Sequence, residues 1–265
     1  MTLTPSPTQL HVGSLSCTLG ANPVLRKLTL PTLHGGQLVA LLGRNGSGKS
    51  TLLKSIAGLV PAHADTLQLN QVSLQPLAAR VRAENLRYLP QSLPDFVHLT
   101  VTEAVLVALK ARTVISTATA MKKVLAILHH LGIGHLASSY LDELSGGQKQ
   151  LVGLAQALAH EPAVLLLDEP LASLDLNYQH HVMQMLQELA FAKGLLIVIV
   201  LHDLNIALRY ANMALLLHDG SLLASGTPDT VITPPHLAQA FLVQARLEHC
   251  SQGRPAIFVD DLIQL

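Results

Sequence analysis

Three short runs along the chain are apolar at every position: residues 38–42, 164–167 and 195–201. Val, Leu and Ile with no polar alternation suit strands covered on both faces, the condition of a central parallel sheet flanked by helices. The pattern therefore predicts an α/β fold. Between the first two runs, residues 101–112 and 120–131 repeat apolar positions at helical spacing and hold no comparable strand. This predicts an inserted helical subdomain, about residues 92–159, within a core formed by about residues 1–91 and 160–232. Pro234 and Pro235 then interrupt the pattern, and residues 233–265 read as a C-terminal appendage with one short strand near 256–259.

Composition narrows the class. Hydrophobic residues make up 49% of the 265 positions, yet no apolar run approaches the roughly 20 residues of a spanning helix. A soluble protein is expected. Lys and Arg total 17 and Asp and Glu total 17, so no long-range field draws the chain to a phosphate backbone, and nucleic acid is not expected as a partner. The first ten residues, MTLTPSPTQL, lack a basic stretch followed by an apolar block, which predicts a cytoplasmic chain. Cys17 and Cys250 stand far apart in no metal or redox spacing and read as reduced thiols. The adjacent pairs His129, His130 and His180, His181 point to different helix faces, poor geometry for a shared metal, and read as structural.

The first apolar run leads into Gly43, Arg44, Asn45, Gly46, Ser47, Gly48, Lys49, Ser50 and Thr51, which fits G-x-x-x-x-G-K-[ST] at each fixed position. The chemistry explains the residue types. Glycines let backbone N–H groups converge on phosphates, the following helix presents its positive end, Lys49 reaches the terminal phosphates, and the Ser50 hydroxyl can ligate Mg²⁺. A nucleotide triphosphate, ATP with Mg²⁺, needs all four.

The second run delivers Asp168 and Glu169 to its C-terminal end, where parallel sheets bind ligands. Asp168 is placed to hold the metal ion through water, and Glu169 to orient or deprotonate an attacking water. A bare acidic pair there also suits a helix cap; the phosphate loop upstream favours catalysis. The third run ends at His202, an imidazole at another strand's end, able to contact the γ-phosphate. Ser145, Gly146, Gly147 and Gln148 precede a helix-patterned stretch; taken alone they suit a helix-capping turn, and their backbone donors at a helix N-terminus read as a second anion site. One nucleotide needs one such site. A head-to-tail homodimer accounts for the surplus, with each ATP held between the phosphate loop of one copy and residues 145–147 of the other.

The ordered set GRNGSGKST, LPQ, LSGGQ, LLLDEP, SLD and LHD resembles the ABC ATPase family, and the likeness runs from about Leu10 to the end. The resemblance implies a P-loop NTPase core with a mainly parallel sheet, an antiparallel β-subdomain and an inserted helical subdomain. It also implies that Gln91 senses Mg²⁺ and the γ-phosphate, that Ser173 to Asp175 form the dimer-crossing loop, and that His202 is the switch histidine. Within the family, VLHDLNIALRYANMALLLHDGSLLASGTPDTVI and SQGRPAIFV look most like ATPase subunits of iron-siderophore, haem and cobalamin importers. Such a subunit works at the cytoplasmic face of the inner membrane beneath an integral permease, fed by a substrate-binding protein. A short permease helix is expected to insert beside Gln91 and residues 92–102.

Three positions depart from the family. Leu19 stands where an aromatic ring usually stacks on adenine, which predicts weaker or less base-selective binding. Leu151 and Gln156 replace the usual arginines after LSGGQ, altering how that helix is braced. Residues 109–114 read LKARTV where importer relatives often carry Gly-Arg-Tyr-Pro. Other transporter classes, exporters included, share the motifs. A DNA-associated ABC ATPase would carry long coiled coils between Lys49 and Ser145, where this chain has no sustained heptads. A non-hydrolysing sensor would not need Glu169, Gln91 and His202 together.

Overall fold

The computed structural model describes residues 8–91, 98–111 and 115–263. Residues 92–97, in the expected permease groove, and 112–114, in the LKARTV stretch, lie outside them. The central sheet has six strands in the order Ser221–Gly226, Met213–His218, Leu38–Leu42, Leu196–Val200, Val164–Leu167 and Leu86–Leu89. All neighbours are parallel except the first pair, which is antiparallel.

The alternation of side chains across this sheet builds two cores from one set of strands. Leu38, Ala40, Leu42, Leu165, Leu167, Ile197 and Ile199 face one buried cluster. Val39, Leu41, Val164, Leu166, Leu196, Val198 and Val200 face the other. That is why these runs are apolar at every position: each face is covered, and each fully buried Leu, Ile or Val contributes about 1.5–3 kcal/mol.

The first cluster holds the helices Val101–Lys110, Thr117–His130, Gly146–Ala159 and Leu176–Lys193. The helical periodicity thus predicts the inserted helices to within a few residues. Thr100 starts the first of them with a capping box, its hydroxyl accepting from the Glu103 amide while the Glu103 carboxylate accepts from the Thr100 amide. On the other face lie the helix Lys49–Ala57 and an antiparallel sheet ordered Leu33–His34, Gln9–Gly13, Thr66–Leu69 and Val72–Ser73. A hairpin of Leu15–Leu19 and Asn22–Leu28 completes this β-subdomain.

Arg82 locks the far end of the Lys49–Ala57 helix. Its guanidinium donates to the carbonyls of Ser55 and Ile56, each at 3.0 Å, so a cation sits on the negative end of the helix that carries the phosphate loop. Burial lowers the pKa of this guanidinium from its ordinary value.

Pro234 and Pro235 do not merely end a pattern. They occupy the first turn of a helix, Pro234–Phe241, where a missing N–H costs nothing. The strand expected near residues 256–259 is longer, Pro255–Leu262, and pairs antiparallel with Val243–His249. Leu237, Ala240 and Ile257 all join the first buried cluster, so residues after 233 pack on the core. Among the described residues, no helix is long and apolar enough to cross a membrane.

Candidate active site

The phosphate loop follows the strand Leu38–Leu42 and turns into the helix Lys49–Ala57. Arg44, Asn45 and Gly46 form its exposed arc, while Gly43, Ser47, Gly48 and Lys49 are buried; Ser50 and Thr51 follow in the first helical turn. Gly43 has φ 142°, and a Cβ there would come within 2.4 Å of the Leu217 carbonyl oxygen, so only glycine lets the loop pass the neighbouring strand. The Lys49 ammonium folds back over the loop and donates to the carbonyls of Gly43 at 2.7 Å and Arg44 at 3.0 Å. Burial pulls its pKa below the ordinary value, opposed by the charges of Glu169 and then Asp168.

Asp168 is buried at the end of the strand Val164–Leu167. Its Oδ1 accepts from the Ser50 hydroxyl and its Oδ2 from the Tyr88 hydroxyl, both at 2.9 Å. The sequence motifs do not single out Tyr88. It belongs to the strand Leu86–Leu89, three residues before Gln91, and no local spacing marks it. Burial, then the Asp168 charge and the hydrogen bond to it, raise the Tyr88 hydroxyl's pKa well above its ordinary value. It therefore stays a donor and fixes the carboxylate's orientation.

Glu169 is bracketed. Gln91 Nε2 donates to Oε2 at 2.6 Å, and His202 Nε2 lies 2.8 Å from Oε1. Gln91 follows the strand Leu86–Leu89 and His202 follows Leu196–Val200, the strands on either side of Val164–Leu167, so sheet order alone converges the three side chains. Glu169 itself adopts φ 51°, the left-handed region that few side chains other than glycine enter without strain.

The second anion segment is organised separately. Ser145 caps the helix Gly146–Ala159, accepting from the Gln148 amide while the Gln148 side-chain oxygen accepts from the Ser145 amide. A Cβ on Gly147 would stand 2.5 Å from the Ser173 carbonyl oxygen, so the missing side chain seats this helix on residues 173–174. Asp175 caps the helix Leu176–Lys193 by accepting from Tyr178, and Gln179 donates to the carbonyls of Leu171 and Leu174. The loop between Glu169 and Asp175 is thereby held at both ends. Farther along the Gly146–Ala159 helix, Gln156 donates to the Ala104 carbonyl at 3.3 Å and Leu151 is buried, so this helix is braced by an amide and by packing.

The histidine pairs act within the fold: His180 bonds the Tyr210 hydroxyl, and His181 bonds the His130 carbonyl. No group of three or more His, Cys, Asp or Glu among the described residues is arranged to hold a metal. Cys17 and Cys250 are both free thiols.

A glycine loop at the end of a parallel strand, a lysine folded over it, and a buried strand-end acid joined to the first-turn serine define a P-loop ATPase core. The sequence profile of the ABC transporter family matches residues 26–172. The chain belongs to the ABC transporter family, as an ATP-binding subunit that hydrolyses ATP. It is 35% identical to the hemin import ATP-binding protein HmuV of Shewanella denitrificans, over 94% of this chain and 100% of that protein. It is 36% identical to HmuV of Hahella chejuensis, over 95% and 100%. The sulfate/thiosulfate import ATP-binding protein CysA of Yersinia pseudotuberculosis is 37% identical, over 85% of this chain but 62% of that one. Among solved structures, a metal-chelate type ABC transporter in an inward-facing conformation superimposes with TM-score 0.78 at 25% identity, covering 96% of this chain and 98% of that one. A dimeric bacterial ABC transporter cassette gives TM-score 0.74 at 27% identity, over 83% and 98%.

Proposed function

We propose that this chain powers import of haem or a related iron chelate, as a head-to-tail pair of copies beneath an integral permease at the cytoplasmic face of the membrane. The observation that carries hydrolysis is Glu169 held between Gln91 and His202. The cargo class rests on hemin-import relatives matched along their whole length, where the sulfate relative is matched over 62%.

In this reading the backbone of residues 43–48 and Lys49 hold the phosphates of ATP. Ser50, Asp168 and Gln91 offer oxygen donors, the hard ligands that Mg²⁺ prefers, and the existing Ser50–Asp168 contact fits them to that ion. When bound, Mg²⁺ neutralises charge developing on the β- and γ-phosphates. Glu169 orients the attacking water, and His202 stands on the γ-phosphate side.

Ser145, Gly146, Gly147 and Gln148 of a second copy close over the same nucleotide, with Asp175 at the crossing loop. Closure lasts while the γ-phosphate is present, and its loss releases the pair. A core of about residues 1–91 and 160–232, with helices at about 92–159, would then swing as two bodies, residues 233–265 riding on the core. A substrate-binding protein selects the cargo upstream of the permease.

The test is reconstitution with the permease in vesicles: ATP-dependent uptake of hemin supports the proposal, and uptake of sulfate but not hemin overturns the cargo class. Leu19, 45% exposed at the end of its strand, gives a second measurement. Leu19→Tyr restores a ring for adenine, and stacking worth about 1–3 kcal/mol should tighten ATP binding roughly five-fold or more. Isothermal titration with ATP and GTP checks it, the gain being larger for ATP.

A further inference from the structure

The C-terminal hairpin is bonded to the helix that starts beside the catalytic histidine. Asn205 Oδ1 accepts from the Ile257 amide at 2.8 Å, and Asn205 Nδ2 donates to the Ile257 carbonyl at 3.4 Å. One side-chain amide thus engages both polar groups of a single residue in the strand Pro255–Leu262, as a neighbouring strand would. Ile257 is itself buried in the large cluster, so the hairpin is anchored from below as well as along its edge.

From Asn205 the connection to the chemistry is short. The Asn205 amide donates to Asp203 Oδ1 at 2.7 Å, and the Ile206 amide adds a second bond to that oxygen at 3.1 Å. Asp203 is peptide-bonded to His202, whose Nε2 meets Glu169 at 2.8 Å. The helix Leu204–Tyr210 is also held at its other end, where the Tyr210 carbonyl accepts from Gln187 and the Tyr210 hydroxyl bonds His180. Both partners lie on the helix that begins after Asp175. A seven-residue helix is too short to be stable alone. Its position, and with it that of His202, is set by what it is tied to.

We propose that Asn205 is a positioning residue for ATP hydrolysis: by clamping the C-terminal hairpin to the helix after His202, it sets the imidazole against Glu169, so that tail docking tunes turnover without touching nucleotide. This rests on the reading of Glu169 and His202 as the hydrolytic pair.

The experiment compares steady-state ATPase activity of the full chain with Asn205→Ala and Asn205→Asp. Asn205→Ala should lower kcat roughly ten-fold at unchanged KM: a displacement of about 1 Å can cost about 100-fold, and the buried Ile257 side chain still anchors the hairpin. Asn205→Asp keeps the acceptor for the Ile257 amide but turns a second carboxylate oxygen toward the Ile257 carbonyl, so it should recover only part of the rate. Unchanged kcat per folded molecule in Asn205→Ala, or a rise in KM alone, overturns the proposal. So does a melting-temperature loss with no change in kcat, the mark of a purely structural contact.

If Asn205→Ala does not fold, Asn205→Leu, which keeps the side chain's volume and deletes both of its hydrogen bonds to Ile257, is read by the same criteria; failure of both to fold also overturns a role specific to turnover. Glu169→Gln separates the two levels. Residual wild-type hydrolysis there would sink the catalytic reading itself, whereas an inactive Glu169→Gln with a fully active Asn205→Ala sinks only the inference about the tail.

Discussion

Glu169→Gln should bind MgATP with near wild-type affinity, accumulate as a nucleotide-loaded dimer, and hydrolyse at least about 1,000-fold more slowly. The size follows from the role proposed: positioned acid–base groups contribute about 10²–10⁴-fold, and a neutral amide neither holds water as a carboxylate does nor takes its proton. The fold should not suffer, because Gln is isosteric and its oxygen can still accept from Gln91. His202 can also bond an amide, so the bracket survives while the carboxylate is lost. Phosphate release and gel filtration with MgATP measure both halves. A strictly monomeric profile with retained nucleotide would count against the head-to-tail arrangement, and retained turnover against Glu169.

Lys49→Ala should abolish detectable nucleotide binding, weakening ATP by at least about 100-fold, or about 2.7 kcal/mol. Lys49 is buried, and its ammonium already lies against the loop carbonyls of Gly43 and Arg44. No other cation in the loop is so placed: Arg44 sits on the exposed arc. Stability should change far less than affinity, since removing a buried cation also removes its desolvation cost. Titration with a fluorescent nucleotide, alongside circular dichroism of the variant, distinguishes a vacant site from an unfolded one. Wild-type affinity in a folded variant would mean that the triphosphate is held elsewhere.

These effects concentrate where the sequence was most readable. The apolar runs at 38–42, 164–167 and 195–201 mark strands buried on both faces, and the buried clusters show why no polar residue interrupts them. The strand Leu86–Leu89 escapes that criterion. It lies at the sheet edge, carries Arg87 and Tyr88, and is only half-buried at both, so its pattern is that of neither a core strand nor a helix.

Within the site, motifs single out Lys49, Ser50, Asp168 and Glu169 because phosphate chemistry fixes both residue type and spacing, and the structure brings these four together. Motifs could not find Tyr88, whose partner Asp168 is eighty positions away in sequence. Nor could they find Asn205, whose partner lies in the tail. Contacts of that kind are set by sheet order and by the docking of a hairpin, which leave no local period in the chain. The prolines at 234 and 235 illustrate the converse: the same residues that break a pattern are favoured at the first turn of a new helix.

The left-handed backbone at Glu169 has a price that falls on the whole molecule. An ordinary side chain in that conformation costs about 1–2 kcal/mol, which glycine would avoid. Durability and work therefore pull against each other at this one peptide. On the role proposed for Glu169, a lineage rewarded only for surviving heat could relax this backbone with glycine, but it would give up the contacts to Gln91 and His202 and the carboxylate on which the proposed hydrolysis depends.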